Sequence, residues 1–150
     1  MILPRSSGIL LHPTSFSGPY GIGDLGGEAE EFIDFLVRSG QRFWQVLPLG
    51  PTGYGDSPYQ SYSSFAGNPL LISPEGLLQD GLLDQEDLEQ RPAFPEDRVD
   101  YGRVIHWKTG LLKRAFENYC STQPAEIKDD FVRFCESEAR WLDDFALFMA

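Results

Sequence analysis

Residues 28–50 read EAEEFIDFLVRSGQRFWQVLPLG, and this stretch decides the fold. Ala29, Phe32, Ile33, Leu36 and Val37 recur at the i, i+3, i+4, i+7, i+8 spacing of an amphipathic helix. Glu28, Glu30 and Glu31 sit at its positive end and Arg38 near its negative end, both favourable to the helix dipole. Gly40 is placed to close it as a C-terminal cap. Phe43 to Leu49 then carries no alternation of apolar and polar residues beyond Gln45, as expected of a strand covered on both faces in a parallel sheet. Upstream, Ile9 to Leu11 follows Gly8, is stopped by Pro13, and reads as a short buried strand. Strand, helix, strand is a βαβ unit, so the chain belongs to the α/β class.

The second strand empties into PTGYGDSPYQSYSSFAGNP, residues 51–69. Glycines and prolines there suit sharp, pre-shaped turns, because glycine reaches positive φ freely and proline arrives with φ fixed. Tyr54, Tyr59 and Tyr62 offer flat rings with a hydroxyl at one end, while Asp56, Ser57, Gln60 and Asn68 add short hydrogen-bonding groups. A pyranose has apolar C–H faces and a rim of hydroxyls, so this mixture reads as a sugar-binding loop. For Tyr62 a packed loop residue is the preferred reading. Asn68 reads as an amide bonding its own loop.

Twelve basic against 23 acidic residues give a formal charge of -11, which repels phosphate backbones and anionic lipid. A neutral ligand is expected, with no nucleic-acid or membrane partner. No basic segment leads into a long apolar run, so the chain reads as cytoplasmic. His12, His106, Cys120 and Cys135 are scattered and give neither a metal set nor a Cys-His pair. The two cysteines read as buried reduced thiols.

Gly21-Ile22-Gly23-Asp24-Leu25-Gly26 matches a dinucleotide-binding pattern. Its context argues against that role, since the motif should follow the first strand directly and about nine residues with two prolines intervene. Asp24 would also face a pyrophosphate with like charge. A structural turn feeding the helix is the preferred account.

Leu70 to Ile72 reads as a very short strand. Ser73 to Pro95 reads as a polar, proline-punctuated insertion. From about Val104 the pattern turns helical, with Leu111, Leu112, Ala115, Phe116 and Tyr119 on one face. A further helical pattern from Pro124 continues to the last residue without a cap, so the chain reads as cut within a helix. Two or three parallel strands cannot cover their own edges, and the missing strands are expected beyond Ala150.

Four motifs carry a resemblance to a family. Gly8 to Ser15, Gly18 to Gly23, Trp44 to Gln60 and Phe65 to Pro69 resemble, in order, the N-terminal part of the 4-α-glucanotransferases, the amylomaltase or disproportionating enzymes. Val99 to Gly102 and Trp141 to Ala150 are similar to family segments too. The resemblance implies a (β/α)₈ TIM barrel that moves segments of α-1,4-glucan, such as maltodextrin or amylose, to another sugar's 4-hydroxyl by a retaining double displacement, without a cofactor. Residues 1–72 would form the first barrel units with the substrate loop, and residues 73–150 an irregular and helical insertion.

It also implies roles. Tyr59 resembles the family's donor-side aromatic, with Ser57 and Gln60 around the sugar hydroxyls, and Tyr54 with Tyr101 resembles an aromatic pair at a second glucan site, while Asp56 reads as a residue that shapes the loop or binds a hydroxyl. A retaining mechanism needs two carboxyls about 5–5.5 Å apart. The family's carboxylates are expected downstream of Ala150, so no residue of this chain is assigned as catalytic. A binding module and an acidic protein-interaction domain are the alternatives. The first sits poorly with a βαβ start, and the second leaves the tyrosine loop unexplained.

Overall fold

The computed structural model describes residues 4–53 and 55–150. Two three-residue strands, β1 (Gly8–Leu10) and β2 (Phe43–Gln45), pair in parallel with Ile9 opposite Trp44. Backbone bonds from Arg42 N to Ser7 O (2.9 Å) and Leu11 N to Gln45 O (3.0 Å) extend the ladder at either end. Between the strands runs α1 (Gly27–Arg38). Its end is a Schellman cap: Gly40 takes a φ of +70°, and Gly40 N and Gln41 N donate to Val37 O and Leu36 O at 3.1 and 2.9 Å. Phe16, Phe32 and Trp44 pack as an aromatic triad between α1 and β2, with ring centroids 5.3 to 5.8 Å apart.

The strand expected over Phe43 to Leu49 is shorter, because its partner leaves the ladder. After Leu11 the chain enters a 3-10 turn at Pro13–Ser15, and among the described residues Val46 to Leu49 pairs with no strand. Within the described residues Leu10 is 56% and Phe43 42% exposed, with α1 packed against β2. Leu70 to Ile72 is likewise not a strand. Pro69–Leu71 forms a 3-10 turn, with Asn68 Oδ1 accepting from Leu70 N at 2.9 Å and Pro69 in the first position.

The polar stretch after Ser73 holds two short helices, α2 (Pro74–Gln79) and α3 (Gln85–Glu89). Ser73 caps the first, and a reciprocal Asp84–Asp87 capping box opens the second. The long helix α4 (Tyr101–Thr122) starts three residues before the apolar pattern does, because the Asp100 side chain accepts from Arg103 N (3.2 Å). The final helical pattern is broken into α5 (Ala125–Glu138) and α6 (Leu142–Met149) by a turn at Ala139 to Trp141.

The core lies along α4 rather than around the sheet. One cluster joins Tyr20, Leu82, Leu83, Leu88, Leu111 and Ala115, and another joins Ile22, Leu70 and Val104. Each draws side chains from both sides of residue 72. Of the apolar face read on α4, Leu111 and Ala115 are buried, whereas Phe116 is 61% exposed. The cysteines depart from expectation too: Cys120 is exposed, on the side of α4 opposite Leu111, and Cys135 is half-buried on α5. Among the described residues, no helix is long and apolar enough to cross a membrane, and no three His, Cys, Asp or Glu side chains gather as metal ligands.

Candidate functional site

The loop after β2 is shaped by its own backbone. Asn68 N donates to Leu49 O at 2.8 Å and closes its base. Thr52 and Ser61 form an antiparallel bridge, flanked by Gly53 N to Gln60 O (2.9 Å) and Tyr62 N to Pro51 O (3.2 Å). From this bridge hangs a tip in two turns, closed by Asp56 N to Gly53 O (3.2 Å) and Gln60 N to Ser57 O (3.0 Å). Gly55 and Asp56 both have positive φ, 84° and 54°. Aspartate tolerates that conformation better than most side chains, so its place in the turn has a backbone reason.

The structure thus brings Asp56, Ser57, Tyr59 and Gln60 together on one tip. Tyr59 is 72% exposed and lines a cleft of about 600 Å³ with Pro48, Gly50, Pro58 and Phe65. Gln60 is exposed, while Asp56 and Ser57 are half-buried. Ser57 Oγ accepts from Tyr59 N at 3.4 Å, which helps set the direction of the tyrosine. Tyr54 lies outside the described residues. Tyr101 stands elsewhere, as the first residue of α4. It packs on the Ile22–Leu70–Val104 cluster and lines a different cleft of about 890 Å³ with Ser15, Gly18 and Arg98.

Two supports of the loop escape sequence reasoning. The first is α6, whose approach depends on the turn at Trp141. Trp141 stacks on Phe65 at 5.8 Å, Arg140 lies 4.8 Å from the centre of the same ring, and Phe148 meets Tyr62 edge-on at 6.0 Å. The second is Lys108, wholly buried, whose Nζ donates to Leu70 O at 2.6 Å and pairs with Asp24 Oδ2 at 3.3 Å. Asp24, 5% exposed, also accepts from Gly26 N at 2.9 Å through Oδ1. One cation therefore ties together the glycine loop, the segment just past the tyrosine loop, and α4. Burial pushes the Lys108 ammonium below its ordinary range and the Asp24 carboxyl above its own, while their mutual attraction opposes both shifts. The sequence carried a signal for it: Lys108 lies at helical spacing within the buried stripe Val104, Leu111, Ala115.

The glycine loop accordingly points inward. A Cβ on Gly23 would overlap Phe16 at 2.7 Å as well as the Pro13 carbonyl, so that glycine allows close packing. The Asp24 carboxylate faces Lys108, away from any ligand.

A family model described as 4-alpha-glucanotransferase matches residues 11–150. The chain is 55% identical over its whole length to the 4-alpha-glucanotransferase of Thermus thermophilus, of which it covers 29%, and 49% identical to that of Synechocystis sp., of which it covers 30%. The solved amylomaltase from Streptococcus agalactiae in complex with acarbose superposes with a TM-score of 0.88 at 40% identity, over 98% of this chain and 29% of that one. The chain thus spans a little under a third of the relatives it matches.

Proposed function

This chain belongs to the 4-alpha-glucanotransferase family, and on that footing we propose that it forms the N-terminal part of an enzyme that moves a segment of α-1,4-glucan onto the 4-hydroxyl of another glucan or glucose. Residues 1–72 would supply the first units of a (β/α)₈ barrel with a substrate loop at the carboxyl end of a strand, and residues 73–150 a helical insertion. The observation that carries this reading is the pre-shaped tip that lifts the Tyr59 ring to 72% exposure over a cleft.

In this reading the Tyr59 ring lies against the C–H face of a donor sugar, and Gln60, Ser57 and Asp56 meet its hydroxyls. The tip spends no substrate binding energy on ordering itself, because its backbone bonds already fix it. It holds a single acid, Asp56, whereas a retaining double displacement needs a nucleophile and an acid/base about 5–5.5 Å apart. We therefore assign both carboxyls to strands outside these 150 residues. There one carboxylate attacks the anomeric carbon while a second group, a carboxylic acid, protonates the departing 4-oxygen. That second group, now a carboxylate, deprotonates the acceptor hydroxyl, which attacks the anomeric carbon and frees the first carboxylate. Tyr54 and Tyr101 would serve a second glucan site.

Glucose release and product length from maltotriose, measured on the full-length protein, test the reading. Tyr59→Ala lowers kcat/KM for transfer about tenfold, the loss of roughly 1.4 kcal/mol of contact. Wild-type kinetics in that variant would remove the loop from the site, and a wild-type protein that transfers nothing would overturn the function.

A further inference from the structure

A third cleft, of about 660 Å³, runs along the outer side of α4 and shares no lining residue with the Tyr59 cleft. Its floor is one stripe of the helix, Arg103, His106, Trp107, Gly110 and Arg114, and its far wall includes Gln90, Pro92 and Ala93. Arg103 to Arg114 spans about 16 Å at the helical rise, a length for a linear ligand rather than a single small ion.

Charge decides the class of ligand. Arg103 is paired with Asp100 at 3.4 Å and donates to Ala93 O at 3.3 Å, and Arg114 is paired with the buried Asp87. The cations are thus neutralised, and the chain as a whole carries -11, so an anion finds little attraction. The pairs still offer donors beside acceptors, next to the apolar surface of Trp107, Leu111 and Pro92. That combination suits a neutral chain of hydroxyl-bearing rings.

Gly110 adds an independent observation. Glycine is the poorest helix former after proline, yet it sits near the middle of a 22-residue helix. Its φ is not positive, and an added Cβ would meet nothing of this chain within 4 Å, so among the described residues neither backbone nor packing asks for glycine there. Its effect is to leave the floor of the groove open between His106 and Arg114. Pro92 and Ala93 also line the Tyr101 cleft, which makes the two clefts neighbours across one segment.

We propose that the α4 groove binds a linear run of α-1,4-linked glucose that continues, across Pro92 and Ala93, from the cleft lined by Tyr101. The proposal rests on the glucan reading above and extends it to a surface that reading does not use. Gly110→Leu fills the groove at a position where a side chain has room and where helix propensity improves. In full-length protein the variant melts at or above the wild-type temperature, and its retardation by amylose in native affinity electrophoresis falls about threefold. His106→Ala, at an exposed position, weakens retardation about twofold. Wild-type retardation in both variants overturns the groove. Wild-type transfer from maltotriose is assayed beside it, so failure of the enzymatic reading is seen separately.

Discussion

Two glycine-rich loops flank the short sheet of this molecule, and they turn their acid and aromatic side chains in opposite directions. In residues 21–26 the absence of side chains lets the chain press against Pro13, Phe16 and Ser73, and its single acid is turned onto a buried lysine. In residues 50–68 the glycines bend a loop that stands away from the core and leaves a tyrosine ring in solvent. The first is held by tertiary contacts and the second mostly by bonds within itself. A glycine count cannot tell them apart; the direction taken by the acid and the aromatic can.

The contrast breaks most easily at the first loop. Lys108→Met strands the Asp24 carboxylate without its partner, and loss of one member of a buried pair costs about 3–5 kcal/mol. Thermal melting of the full-length protein should show a clear drop, and Asp24→Leu combined with Lys108→Met should recover much of it. An unchanged melting temperature in the single variant would mean that the loop does not depend on the pair. At the second loop, Tyr59→Ala should change stability by no more than about 0.5 kcal/mol while kinetics fall, because the removed ring is solvent-facing. Equal thermal loss in both variants would erase the distinction between the loops.

A smaller effect sharpens the comparison by pH. Tyr20, beside the first loop, donates to Glu75 Oε1 at 3.3 Å, and burial followed by the Glu75 charge pushes its phenol up from 10.0 to about 12. The folded chain then keeps a proton that the unfolded chain sheds. This stability is present below pH 10 and lost as pH rises towards 12. Alkaline melting curves should flatten in Tyr20→Phe, and a late phenolate step in the absorbance titration should be lost in that variant.

What could be read from the sequence follows the range of the forces involved. Helix α1 and its Gly40 cap are local, so spacing and dipole charges sufficed. That Asp56, Ser57, Tyr59 and Gln60 share one tip was legible because they fall within five residues. The ends of β2 were not, since strand length depends on where a distant partner turns away, and that happens at Pro13. Leu70 to Ile72 was misread because the Asn68–Pro69 start signal was outweighed by three apolar residues. Lys108 finds Asp24 across 84 positions, a pairing that periodicity cannot report. The break before α6 likewise becomes meaningful only once Phe65 is known to lie against Trp141.

That last contact makes the loop observable. The chain has three indoles, and two are fixed: Trp44 Nε1 donates to Leu11 O at 2.7 Å, and Trp107 is stacked on Tyr20 at 5.7 Å. Trp141 alone leans on the loop that carries Tyr59. A sugar that shifts Phe65 therefore alters the surroundings of Trp141, and that indole's emission becomes a label-free gauge of whether this loop is occupied.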